Sequence, residues 1–402
     1  MLTAAVEIAL GALIAGTLLS QPLRDGAALV LLVALFAKRA TDAPSLPPRW
    51  VIAIALFFGS NVLAALASEE PGAAFDALRF YPLGLLVFLG TRQVTIDRAE
   101  RLPFTVVLAL VSLFGVDAIW QAATGTSWLG HRQAIWGRTR GALPFPSDAS
   151  MLPILLPVAL CALPEASLAG LGARAAAVAI TTAAVSFSGT RSAWCALLVL
   201  ALVWALESRR RRFAVGLLAV VLGASLATAV IAPETAPGRL FAARTYNAEK
   251  RPSQWAAAWE LARLAPILGH GPHSFHREIE RRQPGNPVFA SVDLRYAPYP
   301  HDIYLEALAG AGVLGLLSLC WLIGLGAAAG WRAYRSHANG RAALLALAVF
   351  ASVGLFDLSL VKDWVQLCFW LPMGIAAGLD GDPRTVTSVG DGEGSADRPP
   401  RR

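Results

Sequence analysis

The chain has 402 residues, of which 56% are hydrophobic and only 15% charged, and its mean hydropathy is +0.55. That balance excludes a soluble globular protein and describes a polytopic membrane protein. The formal charge of +7 does not mark a nucleic-acid binder, because the basic residues are scattered between apolar runs and form no basic domain.

In chain order, apolar runs fall at 4–21, 26–37, 50–68, 77–91, 103–124, 150–165, 175–189, 192–207, 213–232, 302–329, 342–360 and 364–379. They predict an all-α polytopic membrane protein with about 12 transmembrane helices, several of them shorter than a full span. The first run contains Glu7 and has no basic start, so it reads as a retained membrane helix and not as a cleaved signal. Cys161, Cys195, Cys320 and Cys368 all sit inside apolar segments without metal-ligand spacing and are expected to be small core hydrophobes.

Basic loop residues set the orientation. Lys38, Arg39, Arg49, Arg92, Arg98, Arg101, Arg174, Arg209 to Arg212, Arg332, Arg335 and Arg341 fall in alternate gaps, which places both termini in the cytoplasm. The predicted division is residues 1–232 as helices 1–9, 233–301 as one long helical periplasmic loop between helices 9 and 10, 302–379 as helices 10–12, and 380–402 as a disordered cytoplasmic tail. The expected location is a bacterial inner membrane, with the active site facing the periplasm and membrane lipids around it.

The outer side then carries cations that the topology rule does not explain: Arg132, Arg138 and Arg140 in one loop, and Arg239, Arg244, Lys250, Arg251, Arg263, Arg277, Arg281, Arg282 and Arg295 in the long one. An anionic ligand at the membrane surface explains them. Within the long loop, "SQWAAAWELARLAPILGHG" has helical spacing and stops at Pro266, and a second helix is predicted over 273–282.

Three stretches point to chemistry. "SFSGTRSAW" puts Arg191 in a small polar turn between two hydrophobic helices, where a fixed guanidinium suits a phosphate. Arg251 precedes Pro252 at a helix start, a place that favours anions, so an anion between the two relieves the conflict. "YPHDIYLEALAGAGVLGLL" makes Asp302 an N-cap and leaves His301 just outside the helix. There the positive helix end and nearby arginines disfavour an imidazolium, which suits His301 to accept a proton. Gly310, Gly312 and Gly315 allow close approach of another helix or a lipid. His270, His273 and His276 recur at three-residue intervals but lack an acidic or cysteine ligand at a familiar spacing, so no metal site is expected. Asp117, Asp357, Lys362 and Asp363 are charged groups at membrane depth that either line a cavity or pair with one another.

"SFSGTRSAWCALLVLAL", "RPSQWAAAWELARLAPILGHGPHSF" and "PHDIYLEALAGAGVLGLL", in this order, resemble the O-antigen ligase and polymerase superfamily of bacterial inner-membrane glycosyltransferases. The resemblance implies transfer of a glycan from an undecaprenyl-diphosphate carrier at the periplasmic face, to the lipid A core in the ligases, without metal or nucleotide cofactor. It implies that Arg191, Arg251 and His301 are the active-site residues, with Arg244 and Arg263 as secondary candidates for the same diphosphate. Asp302 departs from the commoner Asn or Ser after the histidine, and the residue that orients His301 is not identified. The alternatives are an O-antigen or exopolysaccharide polymerase using the same donor and, in a different class, a lipid-linked glycan transporter without chemistry. No outer-face arginine is followed by the Arg-x10-Gly pattern of some polymerases, which favours ligase. One asymmetric outer loop and no repeated halves argue against a transporter.

Overall fold

A computed structural model describes residues 1–39, 45–98, 100–134, 137–164, 167–206 and 250–380, together with Gly216, Ala219 and Gly223. The predicted ninth helix, Arg209 to Arg212, Arg239, Arg244 and the predicted tail beyond Asp380 lie outside the described residues.

Among the described residues the secondary structure is helical. The long helices are α1 (Leu2–Leu19), α2 (Gln21–Arg39), α3 (Pro48–Ala67), α4 (Pro71–Leu78), α5 (Tyr81–Asp97), α6 (Arg101–Thr124), α7 (Met151–Leu160), α8 (Leu168–Ser188) and α9 (Arg191–Leu206). Further along the chain come α10 (Arg251–Leu264), α11 (Phe275–Arg282), α12 (Ile303–Ala333), α13 (Ala338–Gly354) and α14 (Asp363–Leu379). Each predicted apolar run within the described residues coincides with a helix. Among those residues, six segments are long and apolar enough to cross a membrane: Leu2–Leu19, Pro48–Ala67, Pro71–Asp97, Arg101–Thr124, Leu168–Ser188 and Ile303–Ala333. Length is not what sets importance, however: α14, with 17 residues, is buried along nearly its whole length at the centre of the bundle.

Local sequence chemistry sets the helix ends. Pro48 and Pro71 start α3 and α4 in the first turn, where a missing N–H costs nothing. The Ser167 hydroxyl accepts from the Gly170 N–H at 3.0 Å to cap α8, which Gly189 ends in the left-handed region at φ +62°. Around α14, Trp370 packs on Phe88 and Phe57 with ring centroids 5.7 and 6.0 Å apart, and its indole N–H donates to Gln366 at 2.8 Å. Gly84 of α5 makes this possible, since a Cβ there would lie 2.1 Å from the Trp370 ring.

The bundle has two chemically distinct ends. At one, Arg49 (2.7 Å) and Arg332 (2.5 Å) share Asp380, Lys38 pairs with Asp97, and Asn339 donates to Glu100 at 3.0 Å. The α8–α9 turn, the α6–α7 loop, the heads of α10 and α12 and the α13–α14 loop gather at the other.

Residues 250–301 fold as a small helical cap with its own core of Ala257, Ala258, Leu261, Phe275, Ile279, Phe289, Val292 and Ala297, closed by Ala309 of α12. The cap is stitched into α12 by backbone. His270 and Gly271 N–H donate to the Ala309 and Gly310 carbonyls at 3.0 and 2.8 Å, and Val313 N–H donates to the Pro266 carbonyl at 2.8 Å. Gly312 breaks the helix there, with φ +64° and ψ −164°. The close approach expected of Gly310 and Gly312 is thus made by the cap's main chain, whereas a Cβ at Gly315 would meet its own helix at Ala311. The cysteines divide: Cys368 is buried, Cys161 half-buried, and Cys195 and Cys320 lie exposed on α9 and α12, so these last two are not core residues.

Candidate active site

The α6–α7 loop has little regular structure, and two polar residues of α6 hold it in place. Asp117 accepts from the Trp128 N–H at 2.7 Å. The Gln121 side-chain carbonyl accepts from the Arg140 and Gly141 N–H groups at 2.8 and 2.9 Å. Asp117 is therefore a buried loop anchor. So held, Arg138 reaches the α8–α9 turn, donating to the Ser188 carbonyl at 2.7 Å and the Thr190 hydroxyl at 3.1 Å. Burial pushes the Arg138 guanidinium below its ordinary value, with Asp357 opposing and Arg251 adding to the shift, so all three charges share one neighbourhood.

Arg191 is the first residue of α9 and is exposed. The next residue, Ser192, is buried and donates to Oδ2 of Asp357 at 3.1 Å, and its oxygen lies 3.1 Å from that of Ser150. Arg251 opens α10 with Pro252 in the first turn, and its NH2 lies 3.7 Å from Oδ1 of Asp357. His301 comes to the same oxygen, Nδ1 to Oδ1 at 3.1 Å. A carboxylate only accepts, so Nδ1 carries the hydrogen and Nε2 presents its lone pair.

Asp302 caps α12 as expected, accepting from the Tyr304 and Leu305 N–H groups at 2.8 and 2.9 Å. His301 stands just outside the helix with φ +57°, a conformation uncommon for a residue with a Cβ. In the turn at 299–302 the Tyr299 ring lies tilted against His301, ring centroids 4.5 Å apart and planes at 54°. Lys362 of the α13–α14 loop stands over the Tyr299 ring at 5.1 Å and pairs with Asp148 at 3.3 Å. Burial alone would push its ammonium down, but Asp148, Tyr299 and Asp357 outweigh burial and raise it above the ordinary lysine value.

The structure thus brings Arg251 and His301 together through Asp357 and sets Arg191 one residue from Ser192 on the same network. Arg263 lies 12 residues along α10 from Arg251, about 18 Å of helix rise. It is exposed and pairs with Glu260 at 3.3 Å. The three cap histidines go to separate partners. His270 Nε2 is 3.0 Å from the Leu261 carbonyl, His276 Nδ1 is 3.2 Å from the Ala297 carbonyl, and His273 is 4.0 Å from Glu306. A separate open cleft of about 680 Å³ on the cap's other flank is lined by Glu69, His270, Arg281, Arg282, Asn286 and Phe289. Its arginines are already matched by Glu69 and Glu278.

Asp357 is the functional residue that sequence reasoning did not resolve. Its only signal was a charge in an apolar run, and spacing gave no way to pair it with a histidine 56 positions away. Asp148 was equally inconspicuous, as a member of an irregular loop, and Arg138 stood out only as one of several outer cations.

These features define an all-helical multi-pass membrane protein with a polar, cation-rich, histidine-bearing site at one end of its bundle. Residues 176–320 match the family described as O-Antigen ligase. The matched stretch holds Arg191, Arg251 and His301, and ends before Asp357. A comparison with curated proteins finds no match.

Proposed function

We propose that the chain is an O-antigen ligase of the bacterial inner membrane, transferring a glycan from undecaprenyl diphosphate to the lipid A core at the periplasmic face. The observation that carries this reading is the meeting of His301 and Arg251 on one oxygen of Asp357, at 3.1 and 3.7 Å. A base with its Nδ1 engaged and Nε2 available, beside guanidinium groups, is the arrangement needed to deprotonate a sugar hydroxyl next to an anionic leaving group.

In the proposed step, the acceptor oxygen bonds to the anomeric carbon from the face opposite the diphosphate, and the C–O bond to the diphosphate breaks. The acceptor proton passes to Nε2 of His301. The electron pair leaves on the diphosphate, where Arg191 and Arg251 offset the growing charge. Arg138 holds the turn that carries Arg191. Single displacement inverts the anomeric centre, and the guanidinium groups make the diphosphate a competent leaving group without a metal ion.

The experiment is lipopolysaccharide ladder formation in a ligase-deficient host carrying the wild type or His301→Ala at matched membrane levels. A capped ladder lost in the variant supports the reading. Failure of the wild type with a working donor and compatible core moves the reading to a polymerase using the same donor, and a ladder that survives the substitution removes His301 from the mechanism.

A further inference from the structure

The site contains a circuit of contacts that begins and ends on His301 and whose other members do not enter the transfer step. From His301 the contacts run to Asp357 (3.1 Å), then Ser192 (3.1 Å), then Ser150 (3.1 Å), whose chain neighbour two residues back is Asp148. Asp148 pairs with Lys362 (3.3 Å), Lys362 lies over Tyr299 (5.1 Å), and Tyr299 packs tilted against His301 (4.5 Å). The circuit joins the α6–α7 loop, the start of α9, the end of the cap and the α13–α14 loop, which are far apart in sequence. Its lower members are sealed: Asp148 and Asp357 have side chains only 3% and 4% exposed.

A single hydrogen bond at Nδ1 leaves an imidazole free to swing about that bond and to tilt. What restricts it here is the Tyr299 ring packed against it, tilted at 54° with centroids 4.5 Å apart. Tyr299 is itself pinned by the Lys362 ammonium, which stands between the rings of Tyr299 and Trp364 (5.6 Å) and is anchored by Asp148. We propose that Tyr299, Lys362 and Asp148 form a positioning bracket that fixes the His301 ring against Asp357 so that Nε2 faces the reacting hydroxyl. This rests on the reading of His301 as the base.

The charged groups around His301 are Asp357 and Lys362 from the α13–α14 loop, Arg251 from the cap, and Arg138 and Asp148 from the α6–α7 loop, with Tyr299 the titratable group packed against its ring.

The test uses the purified full chain in nanodiscs with undecaprenyl-diphosphate-linked O-antigen units and lipid A core. Release of undecaprenyl diphosphate is followed from pH 5 to 9 for the wild type, His301→Ala, Lys362→Met, Lys362→Arg and Tyr299→Phe, at equal amounts of folded protein. Lys362→Met should lower kcat about tenfold with KM little changed. Lys362→Arg, which restores the cation, should stay within about threefold of the wild type, whereas Tyr299→Phe, which keeps the ring but loses the hydroxyl that Lys362 also engages, should fall between the wild type and Lys362→Met. An inactive His301→Ala alongside a Lys362→Met enzyme with wild-type kcat, or a Lys362→Arg enzyme as impaired as Lys362→Met, overturns the bracket alone. A His301→Ala enzyme with wild-type rate, or a wild type that releases no carrier diphosphate, overturns the transferase reading and the bracket with it.

Discussion

Asp357 offers one oxygen to His301 at 3.1 Å and the other to Ser192 at 3.1 Å, so a single carboxylate locks the head of α12 to the head of α9. Asp357→Asn keeps the shape but removes the charge, and its amide can turn an N–H toward Nδ1. The expected outcome is loss of about 100-fold or more in transfer rate with folding preserved. Initial rates together with a thermal unfolding curve check this, and a near-wild-type rate would show that Asp357 does not orient the base.

Ser192→Ala removes the hydroxyl that links Asp357 to Ser150 while leaving His301 on Asp357. The cost should be about 1 kcal/mol of stability, and activity should fall much less than in Asp357→Asn. A melting temperature measured in detergent alongside the rate separates the two effects.

Gly312 lies where the cap enters α12. It has φ +64°, and a Cβ would sit 2.1 Å from the Ile267 carbonyl oxygen. Gly312→Ala should destabilise the protein by about 2 kcal/mol or more and loosen the cap. Gly324, on the same helix, is the control, because a Cβ added there would meet no atom within 4 Å. Gly324→Ala should be neutral or stabilising by up to about 1 kcal/mol. Limited proteolysis within residues 250–301 reads the difference, and equal protection of both variants would contradict the stitching role of Gly312.

Burial pushes His270 below its usual value of 6.5, with the Leu261 carbonyl opposing and Arg282 adding to the shift. The folded cap therefore holds His270 without its proton at pH values where the unfolded chain would take one up. Stability from this residue is present above pH 6.5 and is lost as pH falls from 6.5 toward the lowered folded value. Hydrogen exchange over residues 257–282, corrected for intrinsic rates, should show weaker protection at about pH 5.5 than at about pH 7.5, and His270→Gln should flatten that difference. A pH-independent wild type would rule out His270 as the cause.

Much of the fold was legible because apolar runs and caps are local signals. Asp302 as the N-cap of α12, Pro252 in the first turn of α10 and the stop near Pro266 follow from side-chain chemistry within a few residues. The site was only half legible for the same reason. Arg191, Arg251 and His301 announce themselves by breaking a local rule, whereas Asp357 and Lys362 show only as charges at membrane depth and Asp148 as a loop charge until tertiary packing sets them beside residues far away in the chain. Arg263 shows the converse: its loop context resembled that of Arg251, yet helix rise carries it to the other end of α10.

The joint between cap and α12 includes three main-chain hydrogen bonds, from Val313 to Pro266 and from His270 and Gly271 to Ala309 and Gly310. Such bonds do not depend on side-chain identity, so this part of the joint works as a fixed mount: the outer face of the cap can change its side chains while these bonds hold the cap against α12.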